Sequence, residues 1–138
     1  MAGFAAKVRQ WAERTKAANT NITREATMEL ARRMLVTRFE GGYLRYDTGF
    51  LQASFIVQIN APVNEINYKP SGISRFHINR GAVKAVVNTM QTGDVAYMAF
   101  TANYAVYREY EDGMVRLVAQ QWPQIVRSVS MKYRKMGY

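Results

Sequence analysis

The chain contains no cysteine and a single histidine, His77. The first absence excludes a disulfide scaffold, a thiolate metal site and a cysteine nucleophile. The second excludes a histidine-rich metal site, although carboxylates remain able to hold a hard cation. No stretch approaches the ~18 uninterrupted apolar residues of a membrane span. There is no Gly-rich phosphate loop and no helical H-E-x-x-H pair. Residues 1–10 carry Lys7 and Arg9 and no apolar run before a cleavage-like site, so no signal peptide is expected. Internal repeats and low-complexity tracts are missing. Acidic residues stop at Asp112, whereas Arg116, Arg127, Lys132, Arg134 and Lys135 follow it.

What is present suits one domain over 1–138, with the last few residues, about 134–138, expected to be flexible. With 49% hydrophobic and 12% aromatic residues, the chain can bury a real core, which excludes wholesale disorder. The net charge of +9 points to a polyanionic neighbour: nucleic acid, an anionic membrane surface or an acidic protein face.

The apolar spacing predicts helix over 4–39. Phe4, Val8 and Trp11 recur at helical intervals, as do Met28, Ala31, Leu35 and Phe39. Asn19, Thr20 and Asn21 can cap a second helix, so one long helix and a broken pair both fit. Gly41-Gly42 ends the segment. Residues 53–60 alternate as a strand with Phe55, Val57 and Ile59 on one face. An irregular loop with Pro62, Pro70 and Gly72 follows. Asn79 can cap a helix bearing Val83, Val86, Val87 and Met90, and Gly93 can close it. Residues 94–101 read as a second strand. Asp112 can cap a last helix with Val115, Val118, Trp122, Ile125, Val126, Val129 and Tyr133 inward, kinked or restarted at Pro123. The sum is α+β: a long N-terminal helix or helix pair, a small antiparallel sheet, and central and C-terminal helices packed on it.

Enzyme chemistry finds little support. His77 lies in the loop between Phe76 and Ile78, with no orienting acid or nucleophile in its neighbourhood of the sequence. Asp47-Thr48-Gly49 has the letters of an aspartic-protease triplet, but such catalysis needs two carboxylates in one site, and turn-like residues precede it here. Glu109, Glu111 and Asp112 lack the alternating oxygen ligands and glycine of a calcium loop, and read as helix caps and an acidic face. Basic and aromatic residues are abundant enough for contacts to nucleic-acid backbones, but no sequence-reading module is recognisable.

Two segments carry a resemblance. Asp47-Thr48-Gly49-Phe50-Leu51-Gln52-Ala53-Ser54-Phe55 resembles a D-T-G-x-L-x-x-S-hydrophobic signature. Gly93-Asp94-Val95-Ala96-Tyr97, Asn103-Tyr104-Ala105, Glu109-Tyr110, and Gly113-Met114-Val115-Arg116 resemble G-D-x-x-Y, N-x-Y-A, E-Y-G and G-M-V-R in the same order. Both patterns are similar to the neck, head–tail connector and minor tail-component (tail-completion) proteins of long-tailed bacteriophages, over residues 25–130. The chain departs from the pattern at Arg45-Tyr46, where a proline is usual, and in the short link from Glu109-Tyr110 to Gly113. The resemblance implies a virion protein at the head–tail junction, assembled in the bacterial host cytoplasm, without catalysis or cofactor. It implies a homo-oligomeric ring, sixfold favoured over twelvefold. The ring would join a portal-side connector or head-closure protein to a tail terminator or tail tube protein. Genomic DNA would pass through without sequence-specific binding, and no membrane would be involved. Asp47, Thr48, Gly49, Leu51, Ser54, Asn103, Tyr104, Ala105 and Gly113 would then be structural. Glu109, Glu111 and Asp112 would form one charged face, and Arg127, Lys132, Arg134 and Lys135 another, at subunit interfaces or the channel. The alternative reading is a small basic nucleic-acid-binding protein.

Overall fold

A computed structural model describes residues 3–137. The first element, α1 (Phe4–Met34), is one unbroken helix. Asn19-Thr20-Asn21 does not interrupt it, because the Thr20 hydroxyl donates to the Lys16 carbonyl at 3.0 Å and Thr23 to that of Asn19 at 2.9 Å. Such back-bonding lets hydroxyl residues sit inside a helix instead of capping one. Burial is confined to the later turns, at Ala18, Ala26, Thr27, Ala31 and Met34. The expected inward stripe of Phe4, Val8 and Trp11 is exposed, since the elements that bury α1 pack on its later turns. Phe39 also departs from its expected place: α1 stops at Met34, a 3-10 turn occupies Arg38–Glu40, and the ring is 94% exposed.

A short helix, α2 (Phe50–Ala53), leads into β1 (Phe55–Ile59); α3 (Arg80–Val87) and β2 (Ala96–Phe100) follow the long loop. The two strands pair antiparallel, Phe55 opposite Phe100 and Ile59 opposite Ala96. Their period-2 pattern turns Phe55 and Val57 into the core, where the Phe55 and Phe100 rings lie 5.1 Å apart. α3 begins as its sequence signals: Asn79 Oδ1 accepts from the Ala82 amide at 3.0 Å, and Val83 and Val87 are buried. The architecture is α+β, as the spacing predicts.

The C-terminal third differs from its expected form. It comprises α4 (Ala105–Asp112), α5 (Arg116–Ala119) and α6 (Trp122–Lys135). Asp112 ends α4 and does not cap a later helix, because Gly113 adopts the left-handed conformation (φ +67) and breaks the chain's course. Pro123 sits in the first turn of α6, where its missing N–H costs nothing. α6 lies along α1, with Ile125 fully buried. Trp122, expected inward, stands at the helix start and remains 37% exposed. Helix α6 extends to Lys135, within the end expected to be flexible; Met1, Ala2 and Tyr138 lie outside the described residues. The accessible surface is 9232 Å². A compact monomer of this mass exposes roughly 7,300 Å². The excess comes from the bare first half of α1 and from aromatic side chains left on the surface.

Candidate functional site

The two segments of the resemblance, distant in sequence, meet around one cavity of about 350 Å³. Asp47, Thr48, Gly49 and Leu51 line one side, and Tyr104, Tyr107 and Arg108 the other. Each side is built by local bonds. Thr48 Oγ1 accepts from the Phe50 amide at 3.4 Å, and the Thr48 carbonyl accepts from the Phe76 amide at 3.0 Å. Gly49 has φ +86, and a Cβ there would lie 2.4 Å from the Phe76 carbonyl oxygen. Both the backbone conformation and the close loop therefore require glycine. Asp47 itself is exposed, and among the described residues no second carboxylate lines the cavity.

Ser54 closes the turn after Leu51 by donating to its carbonyl at 2.6 Å. The Ser54 carbonyl in turn accepts from the Thr101 amide at 3.0 Å and hydroxyl at 2.8 Å. The corner before α4 is held mainly by main-chain bonds and by Asn67, rather than by a side-chain bond from Asn103. Asn67 Nδ2 donates to Thr101 Oγ1 at 2.9 Å, and its carbonyl accepts from the Asn103 amide at 2.8 Å. Tyr104 packs 6.2 Å from Phe50, ring to ring. Burial pushes its hydroxyl above the ordinary tyrosine value, and the nearby Asp47 charge adds to this. Ala105 is buried.

The acidic trio is not one exposed face. On a helix, residues three apart share a side and their neighbours do not. Asp112 and Glu109 therefore turn to the protein while Glu111 points to solvent. The Asp112 carboxylate, 6% exposed, takes two hydrogen bonds from Arg45, at 3.1 and 3.2 Å. Arg38 and Arg108 stand 3.8 and 3.9 Å away. Glu109 caps α5, accepting from the Val115 and Arg116 amides at 2.7 and 2.9 Å. Its charge sits where a helix N-terminus favours an anion.

Of the basic residues singled out on α6, Lys132 pairs with Glu25 on α1. Arg127, Arg134 and Lys135 are exposed. His77 is exposed in the loop. Among the described residues, no group of three or more His, Asp or Glu side chains could hold a metal ion. No described helix is long and apolar enough to cross a membrane.

Thr101, Asn67 and Gln52, which tie this region together, were not singled out by sequence pattern. A buried threonine closing an apolar strand is the one local signal they carry.

Comparison with protein-family models, with curated proteins and with solved structures finds no match.

Proposed function

We propose that the chain is a non-enzymatic subunit of a bacteriophage neck, forming a ring that joins the capsid connector to the tail around a DNA channel. The observation that carries this reading is the meeting of residues 47–51 with residues 104–108, the two halves of the motif resemblance, on one cavity. Bonds at Gly49, Ser54 and Thr101 make that corner a rigid building unit, which is the role the resemblance implies. The exposed rings of Phe4, Trp11, Phe39 and Tyr110 supply apolar surface of the kind that subunits cover on assembly. Sedimentation velocity and negative-stain imaging of the purified protein test the reading, together with its detection in purified particles. A ring, and presence in the virion, support it. A strict monomer absent from particles overturns it.

A second reading, a small basic nucleic-acid-binding protein, is favoured by the charge distribution. Among the described residues only Glu13, Asp47 and Glu111 are carboxylates without a hydrogen bond or ion pair. Many cations are unpaired, so the net charge of +9 is presented on the surface by side chains free to meet an anionic partner. Binding of DNA with a steep salt dependence supports this reading, and no affinity at low salt removes it.

A further inference from the structure

The strongest concentration of unpaired chemistry lies away from the motif corner, where α6 ends beside the middle of α1. A groove of about 800 Å³ opens there. One wall is a single stripe of α1: Trp11, Arg14, Ala18 and Ile22 at helical spacing. The other wall includes Ser130, Tyr133 and Arg134. Among the described residues, no carboxylate lines it. The nearest acid along α1, Glu13, lines a neighbouring surface hollow with Gln10, Arg14 and Ala17, so Arg14 borders both. Neither the Arg14 nor the Arg134 guanidinium has a hydrogen bond or ion pair among the described residues. Trp11 is 61% exposed and has no ring contact among the described residues. An indole left open in a groove shared with two unpaired guanidiniums is an unusual use of surface for a structural helix. Its chemistry matches a ligand that carries both anionic groups and flat rings.

We propose that the α1–α6 groove binds single-stranded nucleic acid, Arg14 and Arg134 contacting phosphates and Trp11 offering its face to a base. The proposal rests on the second reading above and assigns it a place. Guanidiniums pair with phosphate oxygens through two parallel N–H donors, which suits residues with no competing partner. Base stacking on an aromatic face is tolerant of sequence, in keeping with the absence of a base-reading motif. A single strand is favoured over a duplex because a duplex keeps its bases stacked on one another and out of reach of Trp11.

The test uses the full-length protein with a fluorescein-labelled oligothymidylate of roughly twelve nucleotides, within the usual single-strand site sizes. The protein has two tryptophans. A Trp122→Phe background leaves Trp11 as the only indole, so its fluorescence reports stacking directly. The expected result is Trp11 quenching on binding. Trp11→Ala should weaken binding on the order of ten-fold, with partial rescue in Trp11→Phe. Arg14→Ala and Arg134→Ala should each lower the slope of log affinity against log salt by about 0.7. Lys84→Ala, an exposed cation on α3, serves as the control and should have less effect. Binding that persists with all three groove variants equal to Lys84→Ala overturns the groove and leaves diffuse attraction to the whole surface. No binding at low salt overturns the groove and the nucleic-acid reading together. A duplex bound more tightly than the single strand, without Trp11 quenching, overturns the single-strand assignment. So does a poly-glutamate peptide bound equally well with the same dependence on Arg14 and Arg134.

Discussion

Gln52 donates its side-chain amide to the main-chain carbonyl of Leu35 at 2.8 Å, and both residues are buried. This bond gives an orphan carbonyl at the end of α1 a partner and fixes that end to α2. Gln52→Leu keeps the volume but leaves the Leu35 carbonyl without its donor. The expected cost is ~1–3 kcal/mol. Urea unfolding checks it; an unchanged midpoint would show that water or a shifted neighbour replaces the amide.

Burial separates two neighbours on α6. Ile125 is fully buried, whereas Trp122 is 37% exposed despite its size. Ile125→Ala should cost about 2–5 kcal/mol, through lost transfer energy and the cavity left behind. Trp122→Ala should cost less than Ile125→Ala, because its site opens to solvent and leaves no closed void. Thermal unfolding of the two variants side by side gives the order, and the reverse order would place Trp122 in a contact made on assembly.

The double glycine after α1 splits in the same way. At Gly41, φ is +93 and an added Cβ meets nothing within 4 Å. Gly41→Ala therefore costs only the left-handed conformation, about 1–2 kcal/mol. At Gly42 an added Cβ would lie 2.0 Å from the Val36 carbonyl oxygen. Backbone would have to move, so Gly42→Ala should be the more damaging of the two, by about 1 kcal/mol or more. Chemical denaturation of both variants measures the difference.

Those features differ in how far the sequence discloses them. The alternation of Phe55, Val57 and Ile59, and the Asn79 cap with Val83 and Val87 behind it, are local patterns, and local patterns suffice for strands and helix starts. Trp11 and Ile125 both sit at helical spacing with apolar neighbours, yet one is bare and the other buried. Periodicity marks a face; only the arrangement of α6 on α1 decides which turns of that face are covered. Gln52 with Leu35, Asn67 with Thr101, and Arg45 with Asp112 join residues far apart in the chain. The acidic trio misleads for a similar reason. Adjacent letters suggest one patch, but helical geometry sends Glu111 outward, Asp112 to the arginines and Glu109 to the next helix.

Acidification tests the Glu29 cluster. Arg32 hydrogen-bonds the Glu29 carboxylate at 2.7 and 2.9 Å, and Arg33 does so at 2.9 Å. These bonds lower its pKa from 4.5 to about 2, Arg32 being the largest cause. A carboxyl depressed in the folded state adds stability above its ordinary value, and that stability is lost as pH falls from there toward about 2. Glu29→Gln should be less stable than wild type at neutral pH, by on the order of 1 kcal/mol or less, since the site is partly exposed. The gap should narrow as pH falls below about 4.5 and close only near about pH 2. Denaturant midpoints across this range check it, and a gap constant with pH would assign the loss to packing rather than to charge.

The separation of Glu111 from Asp112 also determines how an assembly experiment has to be made. Replacing both by lysine would mix two effects, because Asp112 holds Arg45 and neighbours Arg38 and Arg108, while Glu111 has no hydrogen bond or ion pair among the described residues. Asp112→Asn should lower the stability of the single chain by ~1–2 kcal/mol, a hydrogen-bonded charge discounted for the exposure of its arginines. Glu111→Lys should leave that stability unchanged. Its effect belongs to the ring proposed above. If Glu111 meets the basic α6 of the next subunit, where Arg127, Arg134 and Lys135 are exposed, Glu111→Lys weakens the ring, and raised salt weakens the wild-type ring alike. If Glu111 faces the channel, assembly is intact and DNA release slows, because each added lysine contacts phosphate. One exposed pair contributes only ~0–1 kcal/mol, so a visible effect depends on its repetition around the ring. Sedimentation of Glu111→Lys across a salt series, with DNA-release kinetics of particles carrying it, separates the two arrangements. Normal assembly with normal release would leave Glu111 as a solvated side chain and place the subunit contact on the exposed rings of α1 and α4.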